Sequence, residues 1–162
     1  MFKHNKLLIS ILTFFIFSAV TLFHDVRHLK AATGEVSLAF SLDRLKPGDE
    51  FNIEVKAKNI QDIHGASLEF NFDSSLIEIQ DILPGRLYNG FVEDKNFKYF
   101  ETLDGSASGK VSAAAILTGT DNGLSSEGSL FILKAKALNA GALDLKANTN
   151  YIVKLANSSK TT

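Results

Sequence analysis

The sequence of 162 residues has no cysteine and no tryptophan, and it has only two prolines and three tyrosines. Without cysteine, the chain does not belong to the small secreted folds that depend on disulfides. Without tryptophan, it has few of the large rings that stack on sugar faces. Of the tyrosines, Tyr99 alternates with Lys98 and is expected to pack inward, so direct polysaccharide binding is disfavoured.

The first 32 residues differ from the rest of the chain. Lys3 and Lys6 precede an apolar run over residues 7–23, and the small residues Ala31 and Ala32 follow. A basic start, an apolar middle and a small-residue end predict a signal peptide over residues 1–32, cut near Ala31 or Ala32. The apolar run is slightly shorter than the roughly 20 residues of a spanning helix, so an uncleaved membrane anchor is the alternative. Either way, residues 33–162 are expected to form one secreted or surface-associated domain.

Basic residues are also scarce in this domain. The whole chain has 17 basic and 18 acidic residues, and the first 32 residues contain four of the basic ones (Lys3, Lys6, Arg27 and Lys30) and one acidic residue (Asp25). Residues 33–162 therefore have 13 basic and 17 acidic residues, a net charge of −4. Nucleic acids and anionic membranes require clustered Lys and Arg. We therefore expect neither as a partner, and membrane contact only through the N-terminal segment.

Apolar and polar residues alternate with a period of two in one segment after another. In residues 50–58, for example, Phe51 and Ile53 alternate with Asn52 and Glu54, and turn signals such as Pro47-Gly48 separate the segments. This pattern is typical of half-buried strands. The chain is therefore predicted to be an all-β antiparallel β-sandwich of eight to nine strands. The predicted strands are residues 35–42, 50–58, 64–73, 76–83, 97–100, 110–117, 129–138, 142–147 and 151–156.

The residues that could carry catalysis are few and scattered. His64 is the one histidine after the leader, and it is expected to be solvated at the start of a strand. Asp121, Asn122 and Glu127 surround a glycine-containing loop, but they lack the alternate-position spacing of an EF-hand, and a polar turn is the simpler interpretation. Several carboxylates lie at outward positions of separate strands: Glu50, Glu54, Glu69 and Glu78. We therefore predict no enzyme activity, no catalytic residue and no metal or cofactor held by this chain.

Four stretches follow one another along the chain: LDRLKPGDEFNIEVKAKNI (residues 42–60), IHGASLEFNFDSSLIEIQDILPGRL (63–87), SEGSLFILKAKAL (126–138) and LDLKANTNYIVKLANSS (143–159). In this order they resemble the cohesin family, the dockerin receptors of bacterial cellulosomes. The resemblance implies a nine-stranded jelly-roll sandwich, in agreement with the strand count from periodicity. Family members usually continue with one more strand beside the first. If that last strand is missing here, the sheet keeps an unpaired edge next to residues 35–42 unless a neighbouring segment fills it.

The resemblance also implies a function. Cohesins are not catalytic; they bind dockerin modules of secreted enzymes, and calcium belongs to the dockerin. The contact uses the outer face of one sheet, made by the third, fifth, sixth and eighth strands. Carried over to this sequence, the dockerin-binding residues are expected to be Gly65, Ser67, Glu69, Asn71, Lys98, Phe100, Ser112, Ala114, Ile116, Thr118 and Gly119.

Two other functions remain open for the same kind of sandwich. A carbohydrate-binding module requires a coplanar, solvent-facing strip of rings, for which Tyr88, Tyr151 and phenylalanines are the candidates. A structural adhesin or surface-layer domain requires no enzyme partner. The outward row Ser112, Ala114 and Ile116 is smooth for a sheet that faces only water, and it favours a protein interface.

Overall fold

The computed structural model describes residues 34–42, 44–139, 141–142 and 150–157, and these contain ten β-strands and two short 3-10 helices. The 3-10 helices are Arg86–Tyr88 and Ser106–Ser108. The predicted leader, the last five residues and most of the predicted strand over 142–147 lie outside the described residues. The strands are β1 (Glu35–Phe40), β2 (Arg44–Leu45), β3 (Glu50–Lys58), β4 (Ile63–Asn71), β5 (Ile77–Pro84), β6 (Phe97–Thr102), β7 (Lys110–Leu117), β8 (Gly128–Ala137), β9 (Gly141–Ala142) and β10 (Asn150–Asn157).

Two four-stranded antiparallel sheets contain most of these strands. The first sheet has the order β1-β3-β8-β5, and the second has the order β10-β4-β7-β6. The pair β6–β7 lies within the sequence interval of β5–β8, which lies within that of β4–β10. Such nested antiparallel pairs are the jelly-roll arrangement. The predicted antiparallel β-sandwich is confirmed.

Alternation along each strand produces the layers. In β3, Phe51, Ile53 and Val55 are buried, whereas the intervening Asn52 is exposed. The same period governs β4 and β7, since successive side chains of a strand point to opposite faces. The large side chains that are fully buried come from both sheets: Phe70, Phe131, Ile53, Ile63, Leu68, Ile77, Ile82, Leu130, Leu133, Val55 and Val111.

Two features of the fold were not predicted from the periodicity. The two-residue strands β2 and β9 pair with each other in a separate small sheet. The edge strand beside β4 is β10, which corresponds to the predicted segment 151–156 rather than to the eighth predicted strand, 142–147. Among the described residues, no helix has the length and apolar character needed to cross a bilayer.

Candidate binding face

The outward side of the second sheet forms a continuous surface, which we call the outer face. It consists of every second residue of four strands, because the neighbouring residues point into the core. From β4 it takes Gly65, Ser67, Glu69 and Asn71; from β7, Lys110, Ser112, Ala114 and Ile116; from β6, Lys98, Phe100 and Thr102; and from β10, Ile152, Lys154 and Ala156.

The strand register fixes which of these residues are neighbours. One row across the sheet contains Lys154, Ser67, Ala114 and Phe100. The next row contains Ala156, Gly65, Ile116 and Lys98. Residues directly opposite each other in antiparallel strands have Cβ atoms about 5 Å apart. Each row is therefore a line of neighbouring residues from one edge of the sheet to the other.

The centre of the outer face is made of small side chains. Gly65, Ser67 and Ala114 lie on the two middle strands and are partly exposed. A Cβ added to Gly65 would meet the carbonyl oxygen of Ala115 and the Cβ of Ala156 at 3.7 Å each, which is ordinary contact. The local fold thus leaves room for a methyl group at position 65, and glycine keeps the surface low.

Three large apolar side chains of the outer face are exposed. Phe100 is 56% exposed, Ile152 is 48% and Ile116 is 43%. Phe100 and Ile116 are diagonal neighbours on β6 and β7, because Phe100 lies opposite Ala114 and Ile116 lies opposite Lys98. Exposed apolar side chains beside a smooth centre are typical of protein-binding surfaces.

The charged side chains of the outer face differ in their partners. Glu69 and Lys110 form an ion pair of 3.4 Å, and both side chains are about half exposed. Such exposed pairs contribute about 0–1 kcal/mol. Lys98 and Lys154 make no ion pair with any other residue that the structure describes. Their ammonium groups are therefore available to a partner.

The loop after β7 borders one end of the outer face. The backbone N–H of Thr118 donates to the carbonyl of Asn96 at 3.0 Å, and Gly119 has a φ of 64°, which favours glycine. This hydrogen bond holds the predicted Thr118 beside the start of β6, and Gly119 follows it in the chain.

His64 lies beneath the same loop rather than in solvent. Its side chain is 11% exposed, and its Nε2 lies 3.1 Å from Oδ1 of Asp62. The same carboxylate oxygen accepts the backbone N–H of Gly123 at 2.9 Å. The expectation of a solvated histidine was wrong, because Asp62 and the Gly123 backbone cover the ring. The network joins the start of β4 to the loop.

The tyrosines do not form a sugar-stacking strip. Tyr88 is buried, and Tyr99 and Tyr151 are partly buried. The Tyr99 hydroxyl donates to the carbonyl oxygen of Ile82, and burial raises the pKa of Tyr99 above its ordinary value, with the nearby Glu101 carboxylate adding to the shift. Within the described ranges, Phe100 is the one exposed aromatic ring, and a lone ring cannot form a strip.

No metal-binding cluster occurs in the described part of the chain. Nowhere there do three or more His, Asp or Glu side chains come together in a way that could hold an ion. In the loop considered for calcium, the Thr120 hydroxyl donates to the backbone carbonyl of Asn122 at 3.2 Å. This hydrogen bond is typical of an ordinary polar turn.

The structure brings nine of the eleven predicted residues together on the outer face. These nine lie on β4, β6 and β7, and Thr118 and Gly119 follow β7 directly. The prediction missed Ile152, Lys154 and Ala156, which β10 adds along one edge. The alternation of residues 151–156 already indicated that Ile152 and Lys154 point outward, but the pattern does not say which strand lies next to β4.

Several solved structures share this fold. A type II cohesin domain from the cellulosome of Acetivibrio cellulolyticus is 13% identical over 80% of this chain and 78% of that chain, with a TM-score of 0.55. A type II cohesin–X-dockerin complex from the same organism, an N-terminal interface mutant, is 13% identical, with coverage of 78% and 80% and a TM-score of 0.53. CaCohA2 from Clostridium acetobutylicum is 16% identical, with coverage of 82% and 84% and a TM-score of 0.54.

The sequence comparisons give two further findings. Among curated proteins, none matches the chain. The family model of the cohesin domain matches residues 36–162, which include every residue of the outer face and all of both sheets except Glu35. The chain therefore belongs to the cohesin family.

Proposed function

We propose that this chain is a secreted, non-catalytic receptor that binds dockerin modules of exported enzymes and so recruits those enzymes for polysaccharide degradation. Membership of the cohesin family supports the proposal, and one similar structure is a cohesin in complex with an X-dockerin. The observation that carries the proposal for this chain is the outer face. It has a smooth centre of small residues next to exposed Phe100 and Ile116.

The proposed mechanism is non-covalent docking onto a preformed surface. Four strands joined by antiparallel ladders hold the outer face, so its backbone needs little reordering when a partner binds. Low side chains at Gly65, Ser67 and Ala114 let a helix pair of the dockerin approach the sheet closely. Phe100 and Ile116 would lose water on contact, and this burial supplies the main favourable free energy.

The proposal also covers how the chain is exported and which partner holds calcium. The leader over residues 1–32 directs export, and N-terminal sequencing of the exported chain is expected to begin near Ala31 or Ala32. The calcium that the interaction requires belongs to the dockerin, not to this chain. Binding measurements are therefore made with calcium present.

Replacing the small residues of the centre by tryptophan tests the proposed surface. Ser67→Trp and Ala114→Trp place a large ring where a helix would lie, and tryptophan is well tolerated in strands. We expect each variant to bind a purified dockerin module of an exported enzyme at least about tenfold more weakly, about 1.4 kcal/mol. Isothermal titration calorimetry measures the change.

The matched control is Asn52→Trp, at an exposed position on the other sheet. It adds the same ring outside the outer face, so the affinity is expected to stay within about twofold of the original chain. Equal affinity of all three variants would place the dockerin contact elsewhere. Absence of binding by the original chain to any dockerin tested would refute the proposed function.

A further inference from the structure

The outer face carries a charge opposite to that of the domain. Residues 33–162 have a net charge of −4, by the count given above. The outer face has three lysines, Lys98, Lys110 and Lys154, and one carboxylate, Glu69. Glu69 is paired with Lys110. Two ammonium groups without an ion-pair partner among the described residues therefore remain, one on each edge strand.

These two lysines lie on the opposite edge strands of the outer face. Lys154 belongs to β10 and Lys98 to β6, and the low residues Ser67 and Ala114 lie on the two strands between. Three strand spacings separate the edges by roughly 14 Å. An α-helix with its side chains is about 10–12 Å wide. A single helix along the strands therefore fits between the lysines.

The register also fixes the offset of the two lysines along the strand direction. Lys154 shares its row with Phe100, whereas Lys98 lies one outward position away, in the row of Ile116. Two residues along a strand correspond to roughly 7 Å. On a helix this distance is about five residues, and side chains five residues apart lie on nearly opposite flanks. The spacing of the two ammonium groups thus matches carboxylates about five positions apart.

From this charge and geometry we propose that the outer face selects an acidic amphipathic helix. The helix has a stripe of small and apolar residues that lies on Ser67, Ala114, Phe100 and Ile116, and a carboxylate on each flank. One carboxylate pairs with Lys98 and the other with Lys154. The inference deepens the proposed function, on which it rests, by giving the chemistry of the partner's contact surface.

Two synthetic helical peptides of about 15 residues test this chemistry. They share one stripe of alanine and leucine, and they differ only in having glutamate or lysine on both flanks, about five positions apart. We expect the full chain to bind the glutamate peptide about tenfold more tightly, because two exposed ion pairs form and two like-charge contacts are avoided. Fluorescence anisotropy measures both affinities.

Reversing the charge of Lys98 and Lys154 tests whether these two lysines cause the preference for the glutamate peptide. In the double variant Lys98→Glu and Lys154→Glu, the preference is expected to invert, so that the lysine peptide binds more tightly. The control, Lys46→Glu with Lys58→Glu, changes the net charge equally at exposed positions outside the outer face, and it is expected to keep the original preference.

Three results would overturn the inference: no saturable binding of either peptide, equal or tighter binding of the lysine peptide, or an unchanged preference after reversal at Lys98 and Lys154. The dockerin titration distinguishes this outcome from failure of the proposed function. If the glutamate peptide binds and no dockerin does, the charge chemistry holds and the dockerin assignment fails. If a dockerin binds and reversal leaves its affinity unchanged, the charge chemistry fails.

Discussion

Gly65 and Gly85 show how differently two glycines in extended segments contribute to this protein. Gly65 lies on the outer face with ordinary space around it, so its small size matters for the surface. Gly85 is buried after β5, and its N–H donates to the carbonyl of Leu130 at 2.8 Å. A Cβ at position 85 would lie 2.0 Å from the carbonyl oxygen of Ser129. Gly85 therefore serves the fold, and Gly65 serves the surface.

This difference predicts that replacement by alanine destabilises the protein at position 85 but not at position 65. Gly85→Ala is expected to lower the free energy of unfolding by about 2 kcal/mol or more, because the backbone of β8 must move away from the new methyl group. Gly65→Ala, the matched control, is expected to change it by less than about 0.5 kcal/mol. Urea unfolding measures both. Similar losses for the two variants would contradict the packing described for Gly85.

At the scale of elements, the turn between β4 and β5 carries the chain from the second sheet to the first, next to the outer face. Asp73 follows β4, and its Oδ1 accepts the backbone N–H of Ser75 at 2.9 Å and the Ser75 hydroxyl at 2.6 Å. Its carbonyl accepts the N–H groups of Leu76 and Ile77. One aspartate thus ends the strand and starts the next, as aspartate side chains do in many turns.

The hydrogen bonds of this turn predict that the stability of the folded state depends on pH. The hydrogen bonds from Ser75, first from its hydroxyl and then from its N–H, hold the pKa of Asp73 below its ordinary value of 3.8. A lowered pKa stabilises the folded state above that ordinary value, and the stabilisation is lost as the pH falls through the lowered pKa. Asp73→Asn is therefore expected to lower the melting temperature at neutral pH, with a difference that shrinks in acid. A difference that stays constant down to pH values below 3.8 would contradict this role.

At the scale of the whole molecule, the two sheets present unlike outer surfaces. The first sheet carries charged pairs, with Lys134 and Asp81 at 3.1 Å and Arg86 and Glu54 at 3.5 Å. The second sheet carries one such pair, Glu69 with Lys110, beside the small centre and the exposed apolar residues of the outer face. Because both sheets use the same alternation to fill the core, the difference between them lies in their outward residues alone.

The sequence predicts the core of this fold well, because burial follows directly from alternation. Phe51 and Ile53 alternate with polar residues in the sequence, and both are buried. The same alternation predicts that Ser67 and Ala114 point outward. It does not predict that they are adjacent, since pairing between β4 and β7 joins residues almost fifty positions apart.

Contacts made by single side chains across loops were the least predictable. The burial of the His64 ring depends on Asp62 and on Gly123 from a distant loop. Asp62 has a φ of 53°, which is unusual for a residue with a side chain. No periodic pattern encodes such a contact. The contribution of β10 to the outer face was missed for a related reason, because the strand order of a sandwich depends on all of its pairings.

The most direct measurement is an NMR titration of the isotope-labelled chain with a dockerin module in calcium. The proposal predicts that amide signals of Gly65, Ser67 and Ala114 shift with the dockerin concentration, whereas those of Glu54 and Lys134 on the first sheet do not. Shifts confined to the first sheet, or none at saturating dockerin, would contradict the assignment of the outer face as the dockerin-binding surface.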